Sequence, residues 1–246
     1  MPAAGRGTRL GADTPKQYLT LAGRSMLEWS VQPFLAHSSC RGLVVALAAD
    51  DAHWPRVRAH LARVPIEAPG GAERADSVRA ALQRLQASGV GGGEWVLVHD
   101  AARPCVSAGE IDALLSAVGS TAEPLTGRAG TLAGGLLAVP VTDTLKRDCS
   151  GAGLATSRET VAREGLWRAL TPQMFRLGAL LSALDAAHAA GRRPTDEAQA
   201  MEWQGAEPLL VAGESTNIKV TTAQDWALAE GILAARGASA KNGVEP

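Results

Sequence analysis

Three short stretches hold the residues able to do chemistry. The first is PAAGRGTRLGADTPK at residues 2–16, where Gly5 and Gly7 sit among Arg6, Arg9 and Lys16. Glycine reaches backbone angles closed to other residues, so successive N–H groups of such a loop can point at a phosphate. Arg9 and Lys16 add full charges on either side. The Walker pattern is absent, and Leu10 stands where G-x-G-x-x-G requires its third glycine. The loop is an anion cradle of another kind, or else a glycine turn with solvated arginines.

The second stretch, VLVHDAARP, reads as a strand ending in His99 and Asp100. Open α/β sheets bind ligands beyond the carboxyl ends of parallel strands, which is where Asp100 would lie. A carboxylate there suits Mg²⁺, which takes one or two carboxylates plus phosphate oxygens; the plainer role is to cap the following turn. His99 reads as structural, and Arg103 as either a phosphate contact or a surface charge. The third stretch comprises PTDEAQAMEWQG and STNIKVTT. Lys219 is a phosphate ligand if it faces the cleft and an edge-strand charge if it does not. Thr195 caps a helix or binds a ligand hydroxyl, while Asp196 and Glu197 begin that helix, where carboxylates favour the positive dipole end.

No Ser-His-Asp set, zinc cluster, haem or flavin signature is present, and the five histidines lie apart in the chain. The remaining chemistry is electrostatic, with cations and Mg²⁺ around a polyphosphate. That suits phosphoryl or nucleotidyl transfer, where positioning and charge neutralisation do most of the catalysis.

The composition agrees. The 24 basic and 25 acidic residues leave a net charge of −1, so the chain lacks the surplus of Lys and Arg that a nucleic-acid binder uses on phosphates. Cys40, Cys105 and Cys149 are an odd number without metal-like spacing, which points to a reduced, cytoplasmic protein. No apolar run reaches the ~18 residues of a membrane helix, and no signal peptide precedes the glycine loop.

The elements that must position these residues alternate along 246 residues. Helices are expected at MLEWSVQPFLAH (kinked or bounded by Pro33), near 51–62, at ADSVRAALQRLQA and at AGEIDALLSAV. Two more are expected near 176–190 and 196–204, and a last one begins at Thr222 with Asp225 at capping-pair spacing. Strands are expected at GLVVALAA, EWVLVHD and GTLAGGLLAVPV and near 208–212 and 217–220. This β-α-β-α order predicts an α/β fold with a mostly parallel, twisted sheet and helices on both faces. The rhythm breaks at about 142–168, a polar stretch with a turn near Ser150–Gly153 that predicts a projecting β-hairpin. Leu145, Leu154, Val161 and Trp167 offer it a partner surface. One domain is expected over 1–236, with a disordered tail over 237–246.

The set PAAGRGTRLGADTPKQYL, GGAERADSV, VHDAARPCV, PVTDTLKR, GLWRALTPQMF, TDEA and NIKVT spans residues 2–222 and closely resembles the 2-C-methyl-D-erythritol 4-phosphate cytidylyltransferase family. The resemblance implies a Rossmann-like nucleotidyltransferase fold. It also implies transfer of CMP from CTP to methylerythritol phosphate with Mg²⁺, a step of the non-mevalonate isoprenoid route. Carried over by position, Ala3, Ala4 and Gly5 lie against the cytidine and its phosphates, Arg9 and Lys16 hold the triphosphate, and Gly71 and Ser77 recognise the base. Asp100 serves the metal, Ala101 lies near the ribose, and Lys219 contacts the α-phosphate. Arg103, Thr144, Thr171 and Thr195 line the substrate pocket. Arg163, in the projecting arm, reaches a neighbour's substrate, so a homodimer is implied. The alternatives are a cytidylyltransferase for another polyol phosphate, such as ribitol 5-phosphate, and a non-catalytic nucleotide-binding module.

There are two departures. Ala72 stands where the family often has an acidic residue, and since a backbone group can make that contact, base recognition is expected to survive. Relatives also carry an apolar strand before PAAG, central in the sheet, whereas only Met1 precedes Pro2 here. The expectation is a start that falls late or a truncated sequence, with an unfilled place in the sheet.

Overall fold

A computed structural model describes residues 1–5, 14–119, 126–127, 130–131, 133–149 and 154–241. Arg9 and the rest of residues 6–13 lie outside the described residues.

A 3₁₀ turn at Lys16–Tyr18 precedes a small hairpin, β1 (Thr20–Leu21) and β2 (Arg24–Ser25), whose loop is Ala22 and Gly23. Both take positive φ, 46° and 84°, as a tight two-residue hairpin turn requires. Helix α1 (Met26–Ala36) follows directly. Ser25 Oγ accepts from Glu28 N at 3.2 Å while Glu28 Oε2 accepts from Ser25 N at 2.7 Å, a reciprocal cap that satisfies two N-terminal amides. Pro33 lies inside this helix, which continues to Ala36.

Next come β3 (Val44–Leu47), α2 (Trp54–Ala59), β4 (Ile66–Pro69), α3 (Arg74–Ala87), β5 (Trp95–Val98) and α4 (Ala108–Gly119). The two-residue strands β6 (Thr126–Gly127) and β7 (Gly130–Thr131) lead to β8 (Gly134–Pro140), β9 (Leu145–Asp148), β10 (Ser157–Val161) and β11 (Trp167–Arg176). The chain ends with α5 (Leu177–Ala189), α6 (Glu197–Glu202), β12 (Leu209–Ala212) and α7 (Ala223–Lys241). The spacing of Val78, Ala81 and Leu82 on α3 buries one face, as the sequence predicts. Asp225 N donates to Thr222 Oγ1 at 3.2 Å, so the capping pair of α7 forms.

The main sheet has the order β12-β8-β11-β5, and β3-β4 forms a separate parallel pair. Helices cover both faces of the sheet. Leu136 packs with Val78, Leu82 and Leu180 of α3 and α5, while its neighbour Leu137 packs with Leu114 and Val118 of α4. Successive strand residues point to opposite faces, so a strand buried on both sides is apolar throughout. Gly135 lets β8 approach β12 closely, since a Cβ there would meet Leu209 O and Val118.

Three expectations are corrected. The sheet is mixed, because β8 is parallel to β12 but β11 runs antiparallel to both β8 and β5. The cause is the hairpin β9–β10, which turns the chain back so that β11 returns beside β8 in the opposite direction. Residues 217–220 form no strand, since their polar groups bond to the turn after β5 instead of to a ladder. Helix α7 runs to Lys241, past the expected start of the tail at Gly237.

Met1–Ala3 pairs in parallel with β3: Ala46 N donates to Met1 O at 2.9 Å and Ala3 N to Ala46 O at 2.8 Å. Beyond Met1 a cavity of about 510 Å³ separates β3 from β5, lined by Val44, Leu97, Phe34, Leu82 and Ile111 among others.

Candidate active site

The site forms where β5 ends. Asp100 is 6% exposed, at the start of a turn closed by Arg103 N donating to Asp100 O at 3.0 Å. Asp100 N in turn donates to Thr171 Oγ1 at 3.1 Å, and Thr171 Oγ1 lies 2.9 Å from His99 Nδ1. His99 Nε2 lies 3.0 Å from Arg103 O, an acceptor only, so Nε2 carries the proton and Nδ1 accepts from the threonine hydroxyl. Burial lowers the His99 pKa to about 4, which keeps the ring neutral in this arrangement. Thr171 is brought here by an irregularity of β11: Ala169 pairs with Ala138 and Gln173 with Leu136, so four steps on β11 match two on β8. The Thr171–Pro172 peptide is cis.

Two lysines from distant parts of the chain converge on this turn. Lys219 Nζ lies 2.8 Å from Asp100 Oδ2, and Lys16 Nζ donates to Val220 O, the next residue along, at 2.9 Å. Val220 N donates to Ala102 O at 2.8 Å, which locks the lysine-bearing segment to the Asp100 turn. Burial works to raise the Asp100 pKa, but the charges of Arg74 and Lys219 override it and hold the carboxyl well below its usual range. Arg74 was absent from the residues singled out by sequence. Its Nε donates to Asp100 Oδ1 at 2.7 Å, and Nη1 and Nη2 donate to Glu197 Oε1 and Oε2 at 2.7 and 2.9 Å. Glu197, read from sequence as a helix starter, opens α6 and is 1% exposed.

The remaining candidates fall around this centre. Ala3 is buried, and its carbonyl accepts from Gln17 Nε2 at 2.7 Å, which binds the PAAG segment to the turn carrying Lys16. A Cβ on Gly70 would run into Ala4 and Leu47 O, so the glycine loop before α3 lies directly against the PAAG segment that ends at Gly5. Gly71 N donates to Ser77 Oγ at 3.0 Å, so these two residues shape one loop. Ala101 is buried, its carbonyl accepting from Ser30 Oγ at 2.9 Å. Arg103 is 8% exposed: Nη1 donates to Asn217 O at 2.7 Å, and its Nε has no hydrogen-bond partner among the described residues and lies 4.0 Å from Asp100 Oδ2. Thr195 is exposed just before α6, where its amide donates to Gln199 Oε1 at 2.8 Å. Thr144 and Arg163 are exposed at the root of the β9–β10 hairpin, where Arg163 Nη1 donates to Thr142 O.

The comparisons with known proteins now decide the family. The sequence profile described as 2-C-methyl-D-erythritol 4-phosphate cytidylyltransferase matches residues 1–235. The chain belongs to this family. A cytidylyltransferase of that name from Pseudomonas paraeruginosa is 49% identical over 225 residues, covering 92% of this chain and 91% of the relative. One from Halorhodospira halophila is 49% identical, covering 97% and 94%. The crystal structure of the Francisella tularensis cytidylyltransferase superposes with a TM-score of 0.76 at 32% identity, covering 94% and 96% of the two chains. The α/β architecture with its mixed sheet is thus that of the cytidylyltransferase family. Among the described residues no helix is long and apolar enough to cross a membrane.

Proposed function

We propose that the chain is a nucleotidyltransferase that moves CMP from CTP to 2-C-methyl-D-erythritol 4-phosphate, releasing pyrophosphate, in isoprenoid biosynthesis. Family membership supports the reaction. The observation that carries the residue roles is the convergence of Lys16 and Lys219 beside the buried Asp100 at the end of β5. A phosphate oxygen of the methylerythritol phosphate attacks the α-phosphorus of CTP. A new P–O bond forms, the α–β bridging P–O bond breaks, and pyrophosphate leaves with its electron pair. Both partners are anions, so fixed cations are the main catalytic need.

Lys16, Arg9 and Lys219 meet that need, while Ala3, Ala4, Gly5, Gly71, Ser77 and Ala101 enclose the cytidine and its phosphates. The second substrate is held by Arg103, Thr144, Thr171 and Thr195. The hydroxyl of Thr171 and the guanidinium of Arg103 are engaged within the turn, so they shape this pocket from behind, with Arg103 Nε directed towards Asp100. Asp100 fits a Mg²⁺ role as one carboxylate beside substrate phosphates, and no cluster of three or more ligating side chains forms among the described residues. Bound with the triphosphate, Mg²⁺ supplies further neutralisation of charge.

Among the described residues the β9–β10 hairpin pairs only with itself; Leu154 beside it is 92% exposed, and Trp167 at the start of β11 is 38% exposed. That supports a homodimer in which the arm of one copy, with Arg163, completes the substrate site of the other. A cytoplasmic location fits the free thiols of Cys40, Cys105 and Cys149. The test is pyrophosphate release from CTP by the purified protein. Release that depends on methylerythritol phosphate is expected. Release that ribitol 5-phosphate supports better would reassign the acceptor, and no release with any acceptor would point to a binding module.

A further inference from the structure

Arg74 is a charged group at the site that the transfer chemistry leaves without a task. Its guanidinium spans two carboxylates on different elements, with Nε on Asp100 and both Nη atoms on Glu197. Arg74 is the first residue of α3, three residues after Gly71 and three before Ser77. Glu197 is the first residue of α6, two after Thr195. One planar side chain therefore ties the loop assigned to the cytosine to the loop assigned to the second substrate, with the strand-end aspartate between them.

We propose that Arg74 is a positioning residue that couples the CTP pocket to the methylerythritol phosphate pocket, an inference that rests on the functional reading above. The guanidinium is rigid, so the angle between its Nε and Nη donors fixes how the two carboxylates face each other. A shift of the Gly71 loop on receiving the base carries Arg74 with it, and so moves Glu197 and the Thr195 segment. The charge balance adds a second route. Asp100 and Glu197 are offset by Arg74 and Lys219, and of these cations Lys219 is the more exposed, at 43% against 24% for Arg74. When the triphosphate draws Lys219 away, Arg74 carries more of the neutralisation of both carboxylates, with Arg103 Nε 4.0 Å from Asp100, and is held harder between them. Glu197 cannot relax into water, being 1% exposed, so the strain of any misfit falls on the loop that carries Thr195.

The test is calorimetric titration with a non-hydrolysable CTP analogue, with and without methylerythritol phosphate, and the same experiment with the ligands exchanged. In the parent each ligand is expected to tighten the other by about fivefold or more, equally in both directions. Arg74→Lys keeps the charge but loses the fork, and Glu197→Gln keeps the shape but loses the ion pair. Both are expected to bring the coupling to within about twofold of none. In steady state, KM for methylerythritol phosphate should rise more than kcat falls, a split that general loosening of the fold would not produce. A parent without coupling, or two folded variants that retain it, overturns the proposal. Turnover by the parent in the pyrophosphate assay reports separately on the functional reading.

Discussion

Strand β5 faces two opposite environments, one at its end and one along its edge. At its end, Asp100, His99, Thr171, Arg74 and Lys219 are joined by hydrogen bonds of 2.7–3.1 Å. Along the edge turned towards β3 lies the cavity of about 510 Å³, and among the described residues β5 has one strand partner, β11. Met1 stands at the mouth of this seam. Its ammonium donates to Val44 O at 2.7 Å, and burial among apolar groups lowers its pKa to about 5. The nitrogen occupies the place of a peptide N–H in a parallel ladder, but with a charge that the surroundings disfavour. Charged groups are thus held by close partners at the strand end, whereas in the seam burial outweighs the pull of Glu197 and Asp100 on the Met1 ammonium.

The largest expected effect breaks the site and spares the seam. Lys16→Ala should lower kcat by on the order of 10²–10³ while the thermal midpoint stays near the parental value. Pyrophosphate release and calorimetric melting of the same sample check both halves, and parental turnover would remove Lys16 from the catalytic set.

Next comes the pH dependence of the seam. The folded-state pKa of the Met1 amine lies below its ordinary value, 8.0 against about 5, so the unfolded chain binds the extra proton between these limits. Stability is full above pH 8 and falls as the pH drops towards 5, by up to roughly 4 kcal/mol. Urea titrations at several pH values measure this slope. A variant acetylated at the Met1 nitrogen removes the titrating charge and should lose the slope.

The site has its own window. His99 is held neutral, with its pKa lowered from 6.5 to about 4, so stability falls as the pH drops between these values, by roughly 3 kcal/mol. His99→Gln should abolish that slope and cost about 1–3 kcal/mol at pH 8, because a buried partner is left unsatisfied. The two windows overlap only between 6.5 and 5, so each variant should flatten a different part of the curve. The smallest effect concerns neither region. Leu154→Ser on the exposed arm should leave the protomer's urea midpoint unchanged and weaken self-association in sedimentation, and unaltered association would exclude Leu154 from the interface.

Much of the architecture could be read from local patterns. The capping pairs Ser25–Glu28 and Thr222–Asp225, the one-sided apolar face of α3 and the hairpin at β9–β10 are all set by neighbours within a few residues. Residues 217–220 resemble an edge strand in their alternation, whereas Asn217 is fully buried and donates to Glu110 and to Thr171 O. The direction of β11 was also beyond local reading, since it depends on how the hairpin returns the chain. Arg74 lies within a motif that the sequence made visible, yet its partners are 26 and 123 residues away. A signal was present in Glu197, a carboxylate beside an apolar run, but its helix-starting role was a sufficient explanation.

By itself, then, the sequence determined the chemistry on offer: a glycine loop with cations, a strand-end aspartate and a late lysine, recognisable as a family's motifs. Composition and short-range spacing carry such information because phosphate binding needs particular residue types on particular local turns. The tertiary structure alone decided that Lys16 and Lys219 meet beside Asp100, that Arg74 bridges two loops, and that β5 is satisfied at its end while, among the described residues, it has one strand partner, β11. Those outcomes depend on which distant groups become neighbours once water is excluded, and a buried charge is defined by its partners rather than by its position in the chain.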